Sequence, residues 1–172
     1  MAISYLISLE QLSVLAHFAG VDSFPHLPEL PTISRERGIE LIDVLSEQGM
    51  LHLHKAKDDK AEDKAAVDTT FAFVLLSMAK PKLVIKTAKG ALGYCTNALG
   101  VVVTQDIRNK SKYRITPLPN AKETAERLWE LCSKADAQMA NFTIYFGNKE
   151  PENMQLTKSN LEENVSKIYT DI

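Results

Sequence analysis

The chain has 172 residues, of which 45% are apolar and 24% charged, a composition typical of one globular domain and not of a disordered segment. Its 20 Lys and Arg residues against 22 Asp and Glu residues leave a net charge of −2, which argues against a protein that holds nucleic acid mainly by charge. Two isolated cysteines, no basic leader at the N-terminus and no apolar stretch of roughly 20 residues predict a cytoplasmic protein that is neither exported nor inserted into a membrane.

Residues 1–54 predict a helical, winged-helix-like part of the fold. Ser8 followed three residues later by Gln11 matches a capping box, so a first helix begins there, and Gly20 is placed to end it. The three prolines within residues 24–31 exclude a helix and a central strand, which predicts an extended connector.

A second helix is predicted to begin near Ser34 and to end before Gly49. Four apolar residues form its expected buried stripe: Ile39, Leu41, Ile42 and Leu45. The alternation of apolar and polar residues over 50–54 then predicts a short strand or wing. Residues 55–67 mix lysines with carboxylates and have few bulky apolar groups, which predicts a charged mobile loop or a poorly ordered helix start.

Residues 68–172 predict a helix, an antiparallel sheet and C-terminal helices. Asp68 or Thr69 can cap a third helix, which ends at Lys80-Pro81 because helical geometry is disfavoured before proline. Apolar side chains occur on most sides of this helix, so we expect it to be deeply buried. One face carries Phe71, Val74, Leu75 and Met78, and Phe73 and Leu76 widen it.

After Pro81 the apolar period changes from helical to alternating, which predicts a run of strands. The predicted strands are 83–87, 92–97, 99–106 and 113–116. Strands this close in sequence pair as an antiparallel meander. Asn120 starts a further helix, residues 141–146 form one more strand, and a last helix follows Ser159. The chain is therefore predicted to be a single α+β domain, with the meander flanked by helices.

No arrangement of side chains in the sequence predicts catalysis, a metal site or a bound cofactor. His52 and His54 share one face of a predicted strand, but further ligands are missing, so solvent-facing polar residues are the favoured interpretation. Cys95 lies in no nucleophile motif and is predicted to be a buried structural thiol. Three glycines fit turns and strand ends rather than a phosphate loop: Gly90, Gly93 and Gly100. We therefore expect no enzyme, although a polar pocket in the fold would reopen that alternative.

The charge of the second helix indicates whether a winged-helix arrangement would bind DNA. A DNA-binding version carries basic residues outward, and this helix has Arg35 and Arg37. It also has four acidic residues: Glu36, Glu40, Asp43 and Glu47. Because DNA phosphates repel a net-acidic helix, we expect no nucleic-acid partner. A winged-helix transcriptional regulator or another protein-interaction domain is the alternative function.

Six segments occur in an order that is typical of one protein family. They are LEQLSVL at 9–15, GVDSFP at 20–25, LIDVLSEQGML at 41–51, MAKP at 78–81, VVV at 101–103 and YRITPLP at 113–119. This pattern resembles the EspG-like chaperones of type VII (ESX) secretion and the shorter EsaE-like proteins of Gram-positive bacteria. The resemblance covers about one half of a full-length EspG-type chain, and the charged insert at 55–67 departs from it.

The resemblance implies a non-enzymatic cytoplasmic chaperone that binds a particular secreted, helical protein before export and keeps it soluble. In the longer relatives a loop between sheet strands contributes to substrate binding. The matching hairpin tip gives the predicted partner-binding residues Ile107, Arg108, Asn109, Lys110, Lys112 and Tyr113. Its cations suit an acidic client, with Tyr113 as the anchor. An ordinary solvated hairpin is the alternative interpretation.

Two predicted strands are apolar on both faces, at residues 83–85 and 99–103. Because soluble monomers rarely expose large apolar patches, we expect both faces to be covered. Three covers are consistent with the sequence: the helices at 8–19 and 160–170, a second copy of the chain, or a client. A homodimer is therefore a further predicted assembly.

Overall fold

The computed structural model describes residues 3–54, 64–132, 137–147 and 149–170, with backbone only for 168–170. It confirms the α+β class, because five helices accompany a seven-stranded antiparallel sheet and a two-stranded sheet in these ranges. The chain divides into two compact units: a helical unit, Ile7–Ala79, and a sheet unit, Lys80–Ile172 with Met1–Leu6. The boundary follows the third helix, whereas the sequence pattern grouped that helix with the sheet. The single domain and the winged-helix-like detail both stay predictions.

The helices and strands agree with the predicted ones to within a few residues, and three strands are additional. In chain order the elements are β1 (Tyr5–Ser8), α1 (Leu9–Ala19), α2 (Arg35–Glu47), β2 (Leu51–His54), β3 (Lys64–Val67), α3 (Thr69–Ala79), β4 (Leu83–Thr87), β5 (Leu92–Cys95), β6 (Gly100–Gln105), β7 (Lys112–Leu118), α4 (Ala121–Cys132), β8 (Ala140–Phe146), β9 (Glu152–Leu156) and α5 (Lys158–Thr170). The additional strands β1, β3 and β9 are short, and β3 and β9 are poor in the β-branched and aromatic residues that mark strands.

Capping contacts confirm the predicted starts of the first two helices. The Ser8 hydroxyl accepts from the Gln11 N–H at 3.1 Å while the Gln11 side chain accepts from the Ser8 N–H at 3.0 Å, which completes the capping box. Gly20 follows α1 with a φ of 74°, a left-handed conformation that glycine adopts without the steric cost of a Cβ. The Ser34 hydroxyl caps α2 by accepting from the Arg37 N–H at 3.2 Å.

The charged segment after β2 contains a strand. Lys64–Val67 forms β3 and pairs antiparallel with β2, which places Val67 opposite the buried Leu51. The prediction of a mobile loop is therefore wrong for residues 64–67, and residues 55–63 lie outside the described residues. The pairing has a physical reason, because Ala65 and Val67 alternate with exposed neighbours and turn a half-buried face inward.

The third helix begins and ends where the sequence predicted, but it buries only one side. Asp68 caps it by accepting from the Phe71 N–H at 3.4 Å, and it ends at Ala79, two residues before Pro81. Phe73 and Leu76 are 49% and 46% exposed, so the prediction that they widen the buried face is wrong. On α2, Ile39 is 55% exposed, so the prediction that it belongs to the buried stripe is also wrong.

The large sheet has the strand order β1-β7-β6-β5-β4-β8-β9. The predicted antiparallel meander is confirmed, since β4, β5, β6 and β7 pair in sequence with Leu83 opposite Cys95 and Val102 opposite Thr116. β8 then pairs with the other side of β4, and β9 closes that edge. The β6–β7 hairpin therefore lies on the half of the sheet that ends at β1.

Helices α4 and α5 cover one face of this sheet and form a core with it. Its members are Leu83, Ile85, Cys95, Val102, Leu118, Ala125, Leu128, Phe142, Ile144, Leu156, Leu161 and Val165. Two strand glycines lie directly under α4. A Cβ at Gly93 would lie 2.7 Å from Leu128 Cδ1, and a Cβ at Gly100 would overlap the Thr124 side chain. These glycines let a helix approach the sheet, which supports the interpretation that they are not a phosphate loop.

The opposite face of the sheet is also buried. Tyr94, Val101, Val103 and Ile115 point away from the α4–α5 core, and each is at most 1% exposed. Side chains on both faces of these strands are therefore buried. The homodimer stays a prediction.

Candidate functional site

The turn between β6 and β7 is held by side-chain and main-chain hydrogen bonds. The Asp106 N–H donates to the Lys112 carbonyl at 2.9 Å, and the Lys112 N–H donates to the Asn109 carbonyl at 3.0 Å. The Asp106 carboxylate accepts from the Asn109 N–H at 3.2 Å, and the Asn109 side-chain oxygen accepts from the Ser111 N–H at 3.1 Å and from its hydroxyl at 2.6 Å. This network gives residues 106–111 a defined shape without help from a partner.

The turn presents an aliphatic side chain at its tip. Ile107 is 95% exposed, the highest value among the large hydrophobic residues that the structure describes. Arg108, Asn109 and Lys110 next to it are exposed as well. The Lys110 carbonyl accepts from the Gln105 side-chain amide at 2.6 Å, which ties this end of the turn to β6. The tip therefore projects isoleucine into solvent from a structured base.

The charge of the turn is positive and unneutralised. Arg108, Lys110 and Lys112 have no carboxylate within ion-pair distance in the described ranges. Asp106 is the one carboxylate of residues 105–113, and its oxygen is occupied by the main chain of the turn. With three cations and one carboxylate, the segment carries a net charge of +2.

Tyr113 does not belong to this exposed set. It is only 8% exposed, because the strand alternation directs it to the same buried face as Ile115. Tyr113 is therefore not exposed on the projecting turn as an anchor there would be, and the partner-binding role of all six residues stays a prediction. The sequence prediction included Ile107 among the partner-binding residues but did not identify it as the exposed apolar tip of the turn. The available signal was an isoleucine among polar turn residues, where glycine, asparagine and serine are usual.

The two histidines of β2 lie exposed, in agreement with their interpretation as solvent-facing residues. His52 Nε2 lies 2.9 Å from the Asp68 carboxylate that caps α3, and this hydrogen bond is the main cause that lowers the pKa of Asp68. A lowered carboxylate pKa stabilises the fold above the unfolded-state pKa, and this stabilisation disappears as the pH falls through the folded-state pKa. Within the described residues, no three ligating side chains come together as a metal site.

The two thiols differ in accessibility. Cys95 is fully buried, as predicted, and burial raises its pKa to about 12. Burial also raises the pKa of the half-buried Cys132, whose Sγ donates to the Trp129 carbonyl at 3.3 Å. Because a raised pKa leaves less of the reactive thiolate at a given pH, Cys95 is not an activated nucleophile.

We expect a thiol-reactive dye to label the native protein slowly and at Cys132 alone. The reason is that the reagent attacks the thiolate, which is scarce at both cysteines and enclosed at Cys95. Labelling kinetics at neutral pH, with and without denaturant, measure this. The variant Cys132→Ser should be unreactive until it is unfolded, and rapid labelling of the native variant would contradict the assignment.

One of the two arginines of α2, Arg37, forms ion pairs within the chain. Arg37 pairs with Glu10 of α1 at 3.1 Å and with Glu40 at 2.9 Å. The other carboxylates of α2 are exposed: Glu36, Asp43 and Glu47. The exposed surface of α2 is therefore mainly acidic, which weighs against DNA binding by this helix.

The helices of the described ranges have 11 to 13 residues, and none combines the length and apolarity that crossing a bilayer requires. No protein-family model matches the chain, and no curated protein matches it. The resemblance to EspG-like chaperones therefore depends on the sequence segments alone.

Proposed function

We propose that the chain is a non-enzymatic, cytoplasmic protein-binding module that uses the β6–β7 turn to hold an acidic, helical client. In this proposal it acts as a chaperone or adaptor for a type VII secretion substrate before export. The observation that carries the proposal is the exposed Ile107 on a preorganised, cationic turn. The helical and secreted nature of the client comes from the family resemblance.

The energetics of Ile107 favour a partner. Fully burying an isoleucine side chain is worth about 2 kcal/mol, and this side chain gains almost none of that in the isolated chain. Because hydrogen bonds already hold the turn, binding requires little further ordering of its main chain. A small apolar anchor on a rigid base is therefore suited to a pocket or groove on a client.

The cations of the turn set the charge of the client. Arg108, Lys110 and Lys112 lie without carboxylate partners around the apolar tip, among the residues the structure describes. A partner that presents carboxylates around an apolar groove would be attracted before contact and would associate faster at low salt. Helices with acidic residues beside an apolar stripe have this pattern.

The test is capture of the client by wild-type protein and by two matched variants. Ile107→Asp places a carboxylate at the tip, and Leu76→Asp makes the same kind of change at an exposed leucine on α3. Affinity purification from the native host, with mass spectrometry, should give one stoichiometric, secreted-type helical protein with acidic residues. With that client purified, Ile107→Asp should weaken binding by at least about thirtyfold, while Leu76→Asp should leave it unchanged.

Three outcomes would contradict the proposal. Retention of the client by Ile107→Asp would remove the turn from the interface. Equal losses in Ile107→Asp and Leu76→Asp would indicate a general effect of added charge. Co-purifying nucleic acid, with retention on heparin and a steep salt dependence, would favour the winged-helix regulator instead.

A further inference from the structure

A groove of about 420 Å³ lies inside the helical unit, between α1, α2 and the connector that joins them. Its apolar lining comes from Val14 and Phe18 on α1, Ile39 and Ile42 on α2, and Ile33 on the connector. The volume falls within the range of roughly 300–1,000 Å³ in which small ligands are bound. This groove belongs to a different unit from the β6–β7 turn.

Polar contacts hold the walls of the groove in place. The Ser13 hydroxyl on α1 donates to the Pro31 carbonyl at 2.8 Å, which fastens the connector to the helix. Ser34 ends the connector and caps α2 through the Arg37 N–H. The connector thus forms a third wall of the groove, beside α1 and α2.

Gly38 keeps one wall of the groove open. It lies in the first half of α2, where alanine would favour the helix more than glycine does. A Cβ built at this position would meet only the Ile33 methyl carbon, at 3.8 Å, which is ordinary contact. Packing therefore does not require glycine here, and the absent side chain leaves room for a guest.

The lining of the groove includes one arginine, Arg35. Arg35 and His17 both line it, and no carboxylate is among its lining residues. Arg35 has no ion-pair partner in the described part of the chain. It also lies in the first turn of α2, where the helix dipole adds positive potential. An anion is therefore favoured beside Arg35, next to the apolar part of the lining.

We propose that this groove binds a single-chain amphiphile with a carboxylate head, of the medium-chain fatty acid class. The carboxylate lies at Arg35, and the apolar tail runs between Phe18 and Ile42. An amphipathic helix is a poorer fit, because a helix with its side chains is about 10 Å wide, whereas a volume of about 420 Å³ matches a small ligand. Neutral apolar guests would leave Arg35 without a partner.

The test uses sodium decanoate as the probe, titrated by calorimetry below its micelle-forming concentration. We expect saturable binding at one site. Decanol should bind at least about fivefold more weakly because it lacks the charge. Comparison with octanoate and dodecanoate should give a maximum in affinity, since the groove has a finite length.

Four variants test where the decanoate binds. Gly38→Leu fills the open wall and should weaken decanoate binding by at least about tenfold. Arg35→Gln should weaken decanoate severalfold and leave decanol unchanged. Ile39→Glu, at a half-exposed position that tolerates a polar residue, should repel the carboxylate even if Gly38→Leu fails to fold. Arg108→Gln removes an arginine from the turn and should leave decanoate binding unchanged.

The absence of saturable decanoate binding to the wild-type protein would overturn the proposal. So would full affinity in a folded Ile39→Glu variant, which would place the ligand elsewhere. Equal affinities for decanol and decanoate would show an apolar cavity without a head-group site, contrary to the proposal. Because Arg108→Gln separates the groove from the turn, failure here is distinguishable from failure of the client-binding proposal.

Discussion

Replacing Gly100 with alanine is expected to lower the free energy of unfolding by about 3 kcal/mol, the upper end of the usual cost of overpacking. The added methyl would overlap Oγ1 and Cγ2 of Thr124 and lie 3.0 Å from its Cβ. Thr124 is fully buried, and its hydroxyl donates to the Asn120 carbonyl at 2.8 Å, so its side chain has no free space to occupy. Urea unfolding followed by Trp129, the one tryptophan of the chain, measures the change.

Two further variants separate this steric overlap with Thr124 from a general effect of introducing alanine. Adding Thr124→Ala to Gly100→Ala removes both overlapping atoms and should restore most of the lost stability, so the two changes are not additive. The matched control is Gly38→Ala, whose Cβ meets one atom at 3.8 Å and should not destabilise the protein. A double variant as unstable as Gly100→Ala alone would contradict this explanation.

Truncating Leu128 to alanine is expected to cost a similar amount, about 3 kcal/mol, because it opens a cavity. Leu128 is fully buried in the core between α4 and the sheet. Its Cδ1 would lie 2.7 Å from a Cβ at Gly93. Gly93→Ala alone should cost less than Gly100→Ala, since the contacted atom is the end of a flexible side chain. Urea unfolding of both single variants measures the two costs.

Combining the two changes should reverse the sign of the Gly93 substitution. In the Leu128→Ala background the new methyl occupies part of the cavity, so Gly93→Ala should raise stability there and lower it in the wild type. A double-mutant cycle by urea unfolding measures this coupling. A Gly93→Ala effect of equal sign in both backgrounds would show that Leu128 does not pack over the strand as described.

Stability and client binding should respond to different substitutions in this protein. Ile107 contributes little to the core because nearly all of its surface is exposed. Ile107→Asp should therefore leave the urea midpoint unchanged while it weakens client binding. The alanine variants of Gly93 and Gly100 under α4 should instead lower the urea midpoint. They should retain client binding for as long as the sheet remains folded.

Local sequence was sufficient where a structural signal depends on residues a few positions apart. The capping box of Ser8 and Gln11, the end of α3 before Pro81 and the closely spaced meander strands were all predicted and are present. Such contacts form within a helical turn or a short hairpin, so the responsible residues can be identified in the sequence.

Burial was predicted less well, because it depends on neighbours that are distant in sequence. Phe73 and Leu76 are apolar residues of a helix that packs on one side, and an amphipathic pattern would have been needed to show which side. β9 is a strand because β8 supplies hydrogen-bond partners to a polar segment. These outcomes follow from which elements come together, and no local propensity encodes that.

The same division applies to the candidate sites. The sequence by itself determined the α+β class, the position of the β6–β7 turn and its positive charge, since these follow from composition, spacing and turn residues. Only the tertiary structure decided that Tyr113 lies inside while Ile107 lies outside, and that Gly38 and Arg35 border the same apolar groove. The physical reason is that side-chain exposure and cavities depend on the packing of whole helices and strands, which the intervening sequence does not specify locally.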